Sequence, residues 1–302
     1  MRVRRHRRGS TIVALAATLM AAGALGRTSA QEHFTHGQTI APAYEGFVEN
    51  PDGTFNLVFG YLNRNYDELL DIPIGPANNI EPGGPDQGQP THFLARRRRF
   101  QFQIQVPKDF GNKEVVWTLT SRGKTEKAYG TLKPDYILDN RVMMMNNSGF
   151  GQRGNEGDNQ PPILRVEGET RRTIKAGEPV TLIAVVTDDG LPAPPGALDR
   201  RATSRITGVG NTGAASGDGQ RREYGLRGGW YVYRRAGNVT FEPEQMIRPY
   251  PQGLRSVPPP LPKDGRASVK ATFGGPGIYV LRVVGDDMGL QTTQDVTITV
   301  IP

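Results

Sequence analysis

The sequence predicts an all-β protein of two β-sandwich domains in tandem, and three observations carry that prediction. Its 302 residues exceed one small module and suffice for two ordinary domains. Its 38 glycines and 24 prolines, about a fifth of the chain, suit strands joined by many turns rather than long helices. Apolar residues recur at every second position in short runs bounded by turn residues, which is the period of a strand with one buried face.

The N-terminus reads as an address. Arg2, Arg4, Arg5, Arg7 and Arg8 open the chain, an uncharged Ala/Leu/Val run covers 11–25, and Thr28, Ser29 and Ala30 are small. That order is the order of a secretory signal, so residues 1–30 are expected to be a signal peptide cleaved after Ala30. The mature protein is then expected outside the cytoplasm, periplasmic or extracellular, by the general or the twin-arginine route. The apolar run falls short of the about 20 residues a membrane helix needs, and no transmembrane segment is expected in the mature chain. The same segment holds six of the 37 basic residues and no acid, leaving 31 basic against 30 acidic residues beyond it. A nucleic-acid binder should keep a basic face without its leader, so nucleic acid is not an expected partner.

Residues 31–43 lack periodicity and read as a flexible leader. A first β-sandwich is placed at 44–139. Phe55, Leu57, Phe59 and Tyr61 alternate after turn chemistry at Pro51, Asp52 and Gly53. Phe100, Phe102, Ile104 and Val106 alternate with Gln101, Gln103 and Gln105, apolar to one side and amide to the other. Residues 115–119 and 128–132, with a turn at 121–124, read as a hairpin. The breaker-rich stretch 72–90 is expected to be a long surface loop. Residues 140–162 read as a linker, with Met143, Met144 and Met145 as an apolar contact between domains. The second sandwich is placed at 163–302, with strands at 180–186, 230–233, 239–241, 278–284 and 295–301 and a long insertion at 191–228.

Ala176-Gly177-Glu178-Pro179-Val180-Thr181-Leu182 leads to Thr187-Asp188-Asp189-Gly190. Gly237-Asn238-Val239-Thr240-Phe241 follows, and Pro276-Gly277-Ile278-Tyr279-Val280-Leu281-Arg282 leads to Asp286-Asp287 and Asp295-Val296-Thr297-Ile298-Thr299-Val300. On these stretches the C-terminal domain resembles the immunoglobulin-like modules of the polycystic-kidney-disease (PKD) type in secreted bacterial proteins. The N-terminal domain resembles no family that can be named. The resemblance implies a spacer, adhesion or ligand-binding role and supplies no catalytic residues. Tyr279 in Gly277-x-Tyr279 is expected to form a tyrosine corner, its phenol bonded back to the backbone.

In immunoglobulin order Asp188 and Asp189 end one strand and Asp286 and Asp287 another, and their loops share a pole. Four converging carboxylates would suit calcium, and no other cofactor is expected. Asp and Gly at these positions also make ordinary turns with side chains capping amides, so both readings stand. The insertion carries Arg200, Arg201, Arg205, Arg221, Arg222 and Arg227, with Trp230 just beyond. These residues form a candidate binding loop for an acidic polysaccharide or protein partner, against the alternative of a tolerated insertion. Arg96 to Arg99 are read either as an anion patch or as charge that blocks pairing at a sheet edge. His33 and His36 make a weak metal pair.

The chain holds no cysteine, which excludes disulfides, thiolate metal sites and a thiol nucleophile. It also lacks a Gly-x-Ser-x-Gly elbow, a Walker loop and a His-Glu-x-x-His pair. The expected function is an exported non-catalytic module for adhesion, polysaccharide binding or protein-partner binding. Two alternatives stay open, namely a secreted hydrolase using carboxylates on loops of the N-terminal domain and an accessory subunit of an envelope complex.

Overall fold

Alternating sequence becomes strand from Ile40 onward in the computed structural model, which describes residues 34–148, 158–192, 225–245, 248–249 and 256–302. The N-terminal half contains β1 (Ile40–Glu49), β2 (Phe55–Asn63), β3 (Leu70–Asp71), β4 (Asn78–Glu81), β5 (His92–Phe93), β6 (Arg96–Val106), β7 (Val115–Ser121) and β8 (Lys124–Gly130). They form the sheets β1-β2-β6 and β4-β7-β8, with β3 and β5 as a short pair. Leu57, Phe59, Phe102 and Ile104 of the first sheet and Ile80, Trp117 and Leu119 of the second share one buried core. Trp117 is its centre, with the rings of Phe59, Phe93 and Phe102 within 6.4 Å.

Turn chemistry sets the hairpins. The β1–β2 turn closes with the Gly53 amide on the Asn50 carbonyl and the Thr54 amide on Asp52. Arg122 and Gly123 both have positive φ, 50° and 74°, as a two-residue β7–β8 turn of matching twist requires.

Two expectations for this half need correction. The stretch 72–90 is not only a surface loop, since β4 within it pairs with β7 and buries Asn78 and Ile80 completely. The Asn78 amide ties that stretch down by donating to the carbonyls of Ile72 and Pro90, and its oxygen accepts the Trp117 indole at 3.0 Å. The expected leader is ordered from Phe34. Ile40–Ala43 open β1, Ile40 is fully buried, and its amide donates to the Ser121 hydroxyl.

A 3-10 turn (Pro134–Tyr136) and helix α1 (Asn140–Ser148) follow. The Asp139 carboxylate accepts the Val142 amide at 2.7 Å and caps the helix, so the first part of the expected linker is helical. Of the three methionines, Met144 is buried, its sulfur 3.3 Å from the Asn159 amide, and Met145 is exposed.

The C-terminal half contains β9 (Ile163–Val166), β10 (Arg171–Lys175), β11 (Val180–Thr187), β12 (Arg227–Arg234), β13 (Val239–Glu242), β14 (Arg248–Pro249), β15 (Ser256–Val257), β16 (Arg266–Phe273), β17 (Gly277–Asp286) and β18 (Gln291–Ile301). Its two main sheets run β13-β16-β11-β9 and β10-β18-β17-β12. This is the immunoglobulin-like arrangement, in which the leading strand divides between sheets. β9 pairs antiparallel with β11, and β10 pairs parallel with β18. The Tyr279 hydroxyl donates to the Gly275 carbonyl at 2.8 Å, the expected tyrosine corner. The chain is thus an all-β tandem of sandwiches, and among the described residues no helix is long and apolar enough to cross a membrane.

Candidate functional site

The pole of the second sandwich gathers the ends of β11 and β17. Asp188 and Asp287 line one cleft there, together with Val186, Leu226, Arg227 and Leu261. The four aspartates carry different loads. Asp188 and Asp189 accept the amides of Gly190 and Leu191, and Asp189 also accepts the Gln160 amide at 3.0 Å. Asp286 is fully buried and accepts the Met288 amide and the Gln291 side chain. Asp287 is 4% exposed and accepts the amides of Gly289 and Leu290 and the Asn159 side chain. Each carboxylate caps its own turn. Among the described residues no three His, Asp or Glu side chains form a group that could hold a metal ion.

Two expected results follow. Calcium at millimolar concentration should shift the melting temperature by no more than about 1–2 °C relative to chelator. A rise of about 10 °C, abolished by Asp286→Ala, would support the calcium reading instead. The second result concerns pH. Burial pushes the Asp287 carboxyl up to about 7, against the bonds from Leu290, Gly289 and Asn159, and the neighbouring Asp286 charge adds to the rise. The folded chain therefore keeps a proton that the unfolded chain releases near pH 4, so this group makes stability fall as pH rises from about 4 to about 7. Asp287→Asn should flatten that fall in urea unfolding across this range, and an unchanged slope would refute the assignment.

The expected binding loop is only partly described. Arg200, Arg201, Arg205, Arg221 and Arg222 lie outside the described residues. Arg227 begins β12 and donates to the Pro258 carbonyl. Trp230 needs correction. It is fully buried, its indole donates to the Ala267 carbonyl at 2.9 Å, and its ring belongs to the core rather than to a ligand surface.

A second constellation lies where β12 and β17 meet the N-terminal sandwich, and it was not anticipated. Arg282 is 6% exposed. It donates twice to Asp295, at 2.6 and 2.7 Å, and once to the Gln101 carbonyl, with its guanidinium 3.5 Å from the centre of the Tyr233 ring. The Tyr233 hydroxyl donates to the Gly88 carbonyl at 2.7 Å. Arg234 forks onto Asp86, and Arg235 onto Asp71, which also holds His92 Nδ1 at 2.7 Å. Burial alone would raise the Asp71 carboxyl, but the His92 and Arg235 bonds hold it well below the usual range.

Two sequence signals mark this seam. Tyr231 and Tyr233 are apolar on the face opposite Trp230 and Val232, so β12 has no wet side, and Arg282 interrupts an otherwise apolar run. Gln101 departs from the expected wet face, since it is buried against the C-terminal half, whereas Gln103 and Gln105 are exposed. Arg96 to Arg99 lie within β6, the edge of its sheet. There Arg97 pairs with Glu45 at 2.7 Å and Arg98 is buried.

No protein-family model and no curated protein matches the chain. Among solved structures it is similar to domains 4 and 5 of the S-layer protein SbsC, at 9% identity over 88% of this chain and 98% of that one, with a TM-score of 0.24. It is also similar to the D00-D0 domain of Intimin, at 11% identity over 86% and 100%, with a TM-score of 0.23. The Yersinia pseudotuberculosis adhesin InvE shares 10% identity over 86% of this chain and 58% of that one, with a TM-score of 0.24.

Proposed function

We propose that this chain is an exported, non-catalytic binding or structural module whose two sandwiches act as one stiff unit. In this reading residues 1–30 are a cleaved signal, 44–139 and 163–302 are the two domains, and the second is PKD-like. The observation that carries the reading is the seam. A strand buried on both faces, a bonded and ring-stacked guanidinium and two bridging arginine–aspartate pairs suit a part that holds its shape and presents loops at a distance. The contact residues for an acidic polysaccharide or protein partner are assigned, on composition, to Arg200, Arg201, Arg205, Arg221 and Arg222 of the insertion.

A screen of the full mature chain against acidic polysaccharides and envelope extracts, scored for binding and for turnover, tests this function. Binding without turnover is expected, weakened about tenfold or more when the five arginines become serine. Turnover that survives purification would overturn it in favour of a hydrolase. Export is checked separately, because N-terminal sequencing of secreted material should begin at Gln31.

A further inference from the structure

Among the described residues Arg98 is buried without a counter-charge. It is 8% exposed, and its Nε has no hydrogen-bond partner. The described carboxylates around the seam are engaged with other arginines, Glu45 with Arg97, Asp295 with Arg282, Asp86 with Arg234 and Asp71 with Arg235. The phenols beside it, Tyr61 and Tyr231, are raised by burial, so they stay neutral and cannot balance it. A guanidinium does not shed its proton in a protein, and a buried charge without a partner is strongly disfavoured. Arg98 lines a cavity of about 30 Å³ between the sandwiches, flanked by Arg97 and Arg99 and lined also by Gln101, Asn147, Tyr231 and Thr293.

We propose that this cavity binds a small monovalent anion of chloride size, held by the Arg98 guanidinium, the Thr293 hydroxyl and the remaining N–H of the lining amides, whose other N–H groups bond within the protein. The volume exceeds what one water needs, about 10–15 Å³, and leaves room for a small anion. A water there would satisfy a bond but leave the charge in place; an anion does both. The local chain geometry explains how Arg98 comes to be there. Gly60 of β2 faces three residues of β6, because the register steps from Phe59↔Phe102 to Tyr61↔Arg98, and Phe100 has φ 52°. That bulge bends β6 where Arg98 and Gln101 meet the second sandwich.

The test uses the full chain at constant ionic strength in sodium chloride, bromide or gluconate. Melting should be about 5 °C higher in chloride and bromide than in gluconate, and Arg98→Met should abolish the difference. Equal melting of the unaltered protein in all three salts would overturn the proposal, as would an undiminished difference in Arg98→Met. Should that variant fail to fold, crystals of the unaltered protein soaked in bromide decide the matter. An anomalous peak within hydrogen-bonding distance of Arg98 supports the site, and its absence at full occupancy of solvent bromide refutes it.

Discussion

Trp117→Ala is expected to destabilise the N-terminal sandwich by about 3–5 kcal/mol, the usual cost of deleting a large aromatic from a packed core. The side chain is fully buried against Phe59, Phe93 and Phe102, so its removal leaves a void that these rings cannot all close. It also orphans the Asn78 oxygen and loosens the tether on stretch 72–90. Trp117→Phe separates the two effects, because it keeps most of the ring and loses the bond, at about 1–2 kcal/mol. Urea unfolding followed by circular dichroism checks both. A loss under about 1 kcal/mol for the alanine variant would show that the core does not centre on this ring.

Arg282→Met is expected to lower stability by about 2–3 kcal/mol and to separate two unfolding transitions. Methionine fills the stem but gives up both bonds to Asp295, the bond to Gln101 and the stacking on Tyr233. Asp295 is 38% exposed, so water takes up much of its charge and the loss stays below that of a fully buried pair. Arg234–Asp86 and Arg235–Asp71 are more exposed and contribute less, about 1 kcal/mol or below each. The two tryptophans, one per sandwich, report the halves separately. A single coincident transition at the original midpoint would show that the seam does not couple them.

Local pattern made much of this fold legible. The alternation that predicts β2, β6, β11, β17 and β18 is a property of neighbours two residues apart, and each of these strands buries one face of its pleat. Pro51-Asp52-Gly53 and Tyr279 state their own geometry within a few residues. β4 was hidden because its four residues lie among breakers and its support comes from Asn78 and Trp117, 39 residues apart. Trp230 read as a ligand ring because aromatic residues beside an arginine-rich stretch look alike whether they face solvent or core. Arg98, Gln101 and Arg282 depend on partners up to 181 residues away, which no local period encodes. The pole showed the converse. The aspartates were found by spacing, and their bonds to amides two and three residues on are the turn chemistry that the same spacing allows.

The parallel pairing of β10 with β18 has a mechanical consequence. Its register runs from Arg171↔Thr297 to Lys175↔Ile301, joining the leading part of the second sandwich to its final strand. A pull that draws β10 back along its N-terminal direction and β18 forward along its C-terminal direction slides two parallel strands past each other. Every interstrand bond of that ladder is then loaded at once, whereas an antiparallel hairpin pulled at its open end yields one bond at a time. Tension applied to these two strands along the chain therefore loads this ladder in shear.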